Sequence, residues 1–327
     1  MKKRVLGRTG LEVSEFALGG GMVGGILILP DEAVRQAALE KIVKAGVNWI
    51  DTAAMYGKGA SEETLGRLLP RLSPRPRIST KFTVLPEHRA DIFGAVAKSL
   101  EASLRRMNLQ RVDLLQLHNQ ISDKEDERTI SPARVLGAGG VADALDKLKS
   151  QRMIGGTGLT AAGEIKAVLK VIDSGCFDTA QVYYNMINPS AAWTRVPSGW
   201  ASDDLSGLVE ACKRNNMGML NIRVFAGGPL ASPQRHGREY IMLPGADLAS
   251  EDRRAAAVRA ALGTQYGTPA QTALRFVLAN TDFSCHVVGI ADMAQLDEAL
   301  AAVLMGPLPK EAITKLEMLW ASNFGIS

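Results

Sequence analysis

Eight times along the chain, a short apolar run is followed by a stretch with apolar residues at helical spacing. The runs are EFALG, VNWID, RISTKF, VDLLQLHN, RMIGGTGLT, DTAQVYYN, GMLNIRVF and CHVVGI. The helical stretches between them include Asp31 to Ala45, SEETLGRLL with Ser61 as its N-cap, Asp91 to Met107 and VADALDKLKS. AAGEIKAVLKVID, DDLSGLVEACKRN, Glu251 to Leu262 and Pro269 to Ala279 continue the series, and MAQLDEALAAV and PKEAITKLEMLW close it. Strands separated by helices of this size run parallel, through right-handed crossovers. In 327 residues without a linker-like stretch, eight such units predict an α/β fold, a (β/α)8 TIM barrel forming one domain over 1–327. VLGRTGLEVS, with turn residues at Thr9-Gly10, adds an N-terminal β-hairpin, and extra helices follow the last strand.

A barrel fixes where chemistry belongs. The C-terminal ends of its strands converge on one mouth, and the loops after them shape a pocket. The longest irregular segments, Gln120 to Gly139, Ile187 to Ser202 and Ala226 to Ser250, all follow strands. VNWID ends on Asp51, with Tyr56 in the loop beyond it; RISTKF ends near Lys81 and VDLLQLHN at His118. Singly, each has a plain structural reading: a turn aspartate, a loop aromatic, a solvated lysine, a satisfied histidine. Together, at neighbouring strand ends, they suit proton transfer. A phenol with a pKa of about 10 needs help to act near neutrality. A nearby ammonium favours its phenolate, a carboxylate keeps that ammonium charged and aimed, and a histidine can direct a substrate oxygen.

Composition narrows the alternatives. Hydrophobic residues make up 46% and charged residues 22%, enough for a sizeable core, while a net charge of +4 without like-charge runs speaks against nucleic acid. Cys176, Cys212 and Cys285 form an odd, widely spaced set, which argues for a reducing compartment and against disulfides or a zinc site. GGGMVGGILILP is too short and glycine-rich to span a bilayer, and Arg8, Glu12 and Glu15 interrupt any secretory signal. The expectation is a cytoplasmic protein with a small-molecule partner.

The motifs LGRTGLEVS, GVNWIDTAAMYG, SEETLGRLL, ISTKF, RRMNLQRVDLLQLHN and QVYYN resemble those of the aldo-keto reductase family over nearly the full length. RVFAGGPL and VVGIADMAQL look more like its bacterial sugar-dehydrogenase branch than like aldose reductases. The resemblance implies reversible, metal-free hydride transfer between NAD(P)(H) and a carbonyl, alcohol or sugar. Tyr56 is then the general acid and base, Lys81 paired with Asp51 depresses its pKa, and His118 orients the substrate oxygen.

By the same resemblance, Thr157, Gln181 and Arg223 attend the nicotinamide, and Val224 to Gly228, including Gly227, the pyrophosphate. Gly289, Asp292, Gln295 and Glu298 attend the adenosine. Gly158 stands where relatives carry an asparagine that binds the nicotinamide amide. From Gly289 to Glu298 there is no lysine or arginine, and a carboxylate there repels a 2′-phosphate, so NAD is expected over NADP. Met22, Met55, Trp193 and Trp200 are candidate substrate contacts, the tryptophans reading equally as a hydrophobic plug.

Two rival readings remain. Gly19 to Gly24 fits GxGxxG with Asp51 at the distance of a ribose-binding acid, yet its helix starts too late and six further units lack a place. The other rival is a barrel that binds the cofactor but senses or scaffolds instead of catalysing.

Overall fold

The computed structural model describes residues 1–21, 25–200, 202–235, 237 and 247–325. The chain opens with an antiparallel hairpin, β1 (Lys3–Val5) and β2 (Glu12–Ser14). Its turn packs so closely on the barrel that a Cβ at Gly7, where φ is 49°, would lie 2.1 Å from the Gly218 nitrogen. Only glycine fits there. Arg8, from the same turn, reaches Asp178 Oδ1 at 3.2 Å and fastens the hairpin across the floor.

Eight parallel strands then close a barrel: β3 (Phe16–Gly19), β4 (Trp49–Asp51), β5 (Arg77–Phe82), β6 (Leu114–Leu117), β9 (Thr157–Ala161), β10 (Thr179–Tyr183), β11 (Gly218–Ile222) and β12 (Cys285–Gly289). The seam is β12 against β3, with His286 opposite Phe16. A small two-stranded ribbon, β7 (Gln120–Ile121) and β8 (Thr129–Ile130), sits in the loop after β6.

The alternation of each strand decides which side chains face inward. Phe16, Leu18, Ile50, Ile78, Leu115, Leu159 and Val288 pack into the large core shared with the helices. Ala17, Trp49, Leu114, Leu220, Cys285 and Val287 form a second cluster with Leu6 and Val13 of the hairpin. The lower interior is therefore dry. Asp51, two residues beyond Trp49 on the same face, lies above that apolar floor.

The helices follow the sequence pattern, with adjustments at several of their ends. α1 (Glu32–Lys44) is capped by Asp31, whose side chain accepts from the Ala33 nitrogen. α2 (Ala60–Leu68) starts two residues earlier than expected: Gly59, at φ 97°, is its N-cap in place of Ser61. Ser61 is instead buried, its Oγ 2.8 Å from Thr52 Oγ1, so it braces the loop after β4. α3 (Ile92–Met107) and α5 (Val141–Ser150) follow their apolar periodicity, with a short α4 (Pro132–Leu136) between them.

After α6 (Ile165–Asp173), α7 is shortened to Leu208–Arg214 because Gly207, at φ 85°, fixes its start. α8 (Leu248–Leu262) and α9 (Pro269–Ala279) precede β12, and α10 (Met293–Met305) and α11 (Lys310–Ala321) follow it. Among the strands, β9 begins only at Thr157, after Gly155 and Gly156. No helix among the described residues is long and apolar enough to cross a membrane.

Candidate active site

β4, β5 and β6 are neighbours, and their ends bring together residues far apart in sequence. Asp51 and Lys81 are 3% and 2% exposed, so their ion pair is shielded from water. Lys81 Nζ lies 2.5 Å from Asp51 Oδ2, 2.9 Å from the Thr52 carbonyl oxygen and 3.2 Å from the Tyr56 hydroxyl. Three acceptors thus match the three hydrogens of one ammonium. Burial alone would lower the lysine's pKa, but the charge of Asp51 and then of Tyr56 outweighs it and raises the pKa above the ordinary value.

Tyr56 is half-buried, and its hydroxyl lies at the end of this chain of bonds. The backbone turns sharply behind it, with φ 59° at Gly57 and 55° at Lys58. Gly21 lies against the ring, since a Cβ there would be 3.5 Å from Cε2 and Cζ. Gly20 donates its N–H to the Asp51 carbonyl at 2.8 Å. The glycines after β3 thus allow close backbone approach beside the tyrosine. α1 begins only at Glu32, well beyond the glycines of a dinucleotide-type turn; part of that turn, with Met22, lies outside the described residues.

His118 is held by its backbone N–H on the Phe82 carbonyl at 2.9 Å, and its ring meets Tyr56 edge-on, centroids 5.9 Å apart. Burial, assisted by the Lys81 charge, pulls its pKa down to about 3. At neutral pH the imidazole is uncharged, so it can donate one hydrogen bond to a substrate oxygen without competing with Tyr56 as an acid. The four expected residues are thus brought together.

Beneath them Asp51 has further partners. Its Oδ1 accepts from Ser79 Oγ at 2.7 Å, Gln181 Nε2 at 2.8 Å and Gln116 Nε2 at 3.1 Å. Ser79 in turn accepts from the Trp49 indole at 3.0 Å. Neither Ser79 nor Gln116 was singled out from sequence. Their inward parity with Lys81 and His118 was the available signal.

The residues expected to hold the cofactor are arranged differently. Thr157 starts β9 at the floor of the barrel; its N–H and hydroxyl both face Asp178 Oδ2, at 3.0 and 3.3 Å. It is therefore at the end opposite the mouth. The late start of the strand instead pairs Thr160 with Gln181, on the inward face. Thr160 is 4% exposed, and its hydroxyl has no hydrogen-bond partner among the described residues. Gln181 points its amide at Asp51.

Arg223 adopts φ 63° directly after β11, its carbonyl accepting from Asn185 Nδ2 at 2.9 Å. A Cβ at Gly227 would lie 2.8 Å from the Arg223 Nη2, so the guanidinium lies across that glycine. Val224 is buried; Ala226 and Gly228 spend their N–H groups on the Arg223 and Phe225 carbonyls.

Gly289 ends β12 opposite Gly19 and is exposed. Asp292 caps α10, accepting from the Gln295 nitrogen at 2.8 Å, while Gln295 Oε1 accepts from the Ala291 nitrogen at 2.9 Å. Glu298 is half-buried in the second turn of that helix. Met55 is 56% exposed at the rim. Trp193 and Trp200 stack edge-on, centroids 5.1 Å apart, and continue into Trp320 and Phe324 at 5.7 and 5.8 Å. The pair is thereby packed against the C-terminal helix.

With this geometry in hand, comparison with known proteins is informative. The family model described as "Aldo/keto reductase family" matches residues 16–321. The chain is 29% identical over 308 residues to the L-galactose dehydrogenase of Arabidopsis thaliana, covering 92% of this chain and 87% of that protein. It is 24% identical over 330 residues to the pyridoxal 4-dehydrogenase of Microbacterium luteolum, covering 90% and 91%. Among solved structures, the holo form of the aldo-keto reductase AKR11C1 from Bacillus halodurans superposes with a TM-score of 0.71 at 21% identity, covering 98% of this chain and 96% of that one.

Proposed function

This chain belongs to the aldo/keto reductase family, and on that premise we propose that it moves a hydride reversibly between a nicotinamide cofactor and a carbonyl, alcohol or aldose, with Tyr56 exchanging the proton. The observation that carries the reading is the continuous bonded chain from Asp51 through Lys81 to the Tyr56 hydroxyl. In reduction, the phenol gives its proton to the carbonyl oxygen. In oxidation, the phenolate takes the proton from the alcohol. Lys81 stabilises the phenolate and Asp51 holds Lys81 charged. His118, neutral, aims the substrate oxygen at Tyr56. A complete set, with Asp51, Lys81 and Tyr56 bonded in a chain and His118 edge-on to the Tyr56 ring, supports catalysis over a barrel that merely senses.

The cofactor, when bound, supplies or accepts the hydride. The residues present fit such a group. The unpartnered Thr160 hydroxyl, inward and next to Gln181, is suited to hold an amide. Arg223 offers a flat cation after β11, and the segment from Val224 through Gly227 and the turn from Gly289 to Glu298 complete the path. Gly158 contributes no side chain to it.

We favour NAD. Asp292 and Gln295 cap their own helix, Lys41 is paired with Asp297, and Arg235 is engaged by Asp252 at 2.8 Å. Both cations are already held by carboxylates, which weakens what either offers a 2′-phosphate. The names of the relatives, a galactose dehydrogenase and a pyridoxal dehydrogenase, support an aldehyde or the cyclic form of an aldose as substrate. The test is cofactor absorbance with a panel of aldoses and small aldehydes, in both directions, with NAD and NADP. Turnover, faster with NAD, is expected. Cofactor binding without turnover in either direction would favour the sensing barrel.

A further inference from the structure

Beneath the tetrad lies a side chain that the proton transfer just described does not use. Gln116, wholly buried on β6, stands in register with Lys81 on one side and Gly158 on the other. Its Nε2 donates to Asp51 Oδ1 at 3.1 Å, while its Oε1 has no partner among the described residues. A buried carbonyl without a donor costs stability, so folding alone gives little reason for a glutamine here. Gly158 makes the fit possible. A Cβ at 158 would lie 2.4 Å from Thr179 Oγ1 and 2.9 Å from Gln116 Cγ. The missing side chain at 158 thus leaves the space that the Gln116 amide fills.

We infer that Gln116 is a positioning residue for proton transfer: it draws charge from Asp51, so that Lys81 acts more strongly on Tyr56, in a slot that Gly158 keeps open. This rests on the proton role proposed for Tyr56. Tyr56 feels the field of an ion pair, in which the Asp51 charge partly cancels that of Lys81. Each donor on Oδ1 disperses the carboxylate's charge and weakens that cancellation. Ser79 and Gln181 act on the same oxygen. Gln181, however, also lies beside Thr160 on the path assigned to the cofactor, whereas Gln116 bonds only Asp51 among the described partners.

The other ionisable groups facing this cluster do not titrate with Tyr56. His118 is already neutral, and burial, with the Asp51 charge, pushes the Cys285 thiol up.

The readout is the phenolate absorbance of the free protein against pH, with Tyr56→Phe subtracted to isolate this one of five tyrosines. Gln116→Leu removes the donor and the unpartnered carbonyl together, so the thermal midpoint should stay close to wild type. The Tyr56 titration should move to higher pH by roughly half a unit or more. Gly158→Ala, whose methyl displaces the amide while leaving it in the chain, should shift the titration in the same direction. A wild-type titration in Gln116→Leu overturns the inference, as does one in Gly158→Ala should the first variant not fold. If the titration moves but wild type turns over no substrate of the panel, the inference stands and the proposed reaction falls.

Discussion

On the β4–β6 side of the mouth, the working groups sit on strands or one short turn beyond them, and they bond to each other. On the β9–β12 side they sit mostly in turns and bond through or to the backbone: Asp292 accepts from its helix start, and the Arg223 carbonyl accepts from the Asn185 side chain. The first arrangement suits a step in which a proton moves between fixed atoms, where misplacement by an ångström is costly. The second suits recognition, where a turn can change its side chains without disturbing the barrel. Gln181 joins the two, since it lies beside Thr160 yet points at Asp51.

The sharpest way to break this division is Tyr56→Phe. It should lower kcat by ~10²-fold or more and leave cofactor affinity, read by fluorescence titration, near wild type. A parallel loss of affinity would show the two sides to be one unit. Asp292→Arg is the converse. It should move the NAD-to-NADP ratio of kcat/KM by ~10-fold towards NADP, while the pH dependence of turnover stays unchanged. A smaller effect is expected from Lys81→Met: the basic limb of the oxidation profile should rise towards the unperturbed tyrosine value of about 10. An unmoved limb would reduce the lysine to a structural ion pair.

The smallest change is a control placed outside both sides. His286, buried between barrel and helices, bonds Asn221 Oδ1 at 3.2 Å. Burial, then the charge of Arg4, holds its pKa down at about 3. The folded state therefore binds fewer protons than the unfolded one below the ordinary value of about 6.5. Its contribution is complete above that pH and is lost as pH falls towards 3. At about pH 5 the loss is on the order of 2 kcal/mol. His286→Asn should flatten the decline of the thermal midpoint in acid without altering cofactor preference or the Tyr56 titration.

The same division governs what could be read before any coordinates. Asp51, Lys81 and His118 were legible because each ends an apolar run, and a strand end in a barrel has one place to go. Tyr56 was legible because the turn carrying it is short. Thr157 was misplaced because GGTGLT offers glycine and threonine in near-repeating order. A strand that starts at Thr157 instead of Arg152 puts Thr160, not Thr157, on the inward face beside Gln181, and no apolar pattern marks the difference. Gln116 and Ser79 were hidden for another reason: a polar residue inside a strand is meaningful only once its neighbour across the sheet is known. Ser61 reads as a helix cap in any sequence, and only its bond to Thr52 reveals otherwise.

The aromatic run from Trp200 through Trp193 to Trp320 has a consequence for how the protein is made. The Trp320 indole also donates to the Met186 carbonyl at 2.8 Å, tying the loop after β10 to α11. During synthesis, Asp51, Tyr56, Lys81 and His118 emerge early, on or just beyond adjacent strands. The loop carrying the two mouth tryptophans cannot take its final shape until a helix roughly two hundred residues beyond His118 has left the ribosome. A nascent chain stopped before Trp320 would hold all four residues of the proposed proton-transfer site, yet lack the fastening for the loop beside it.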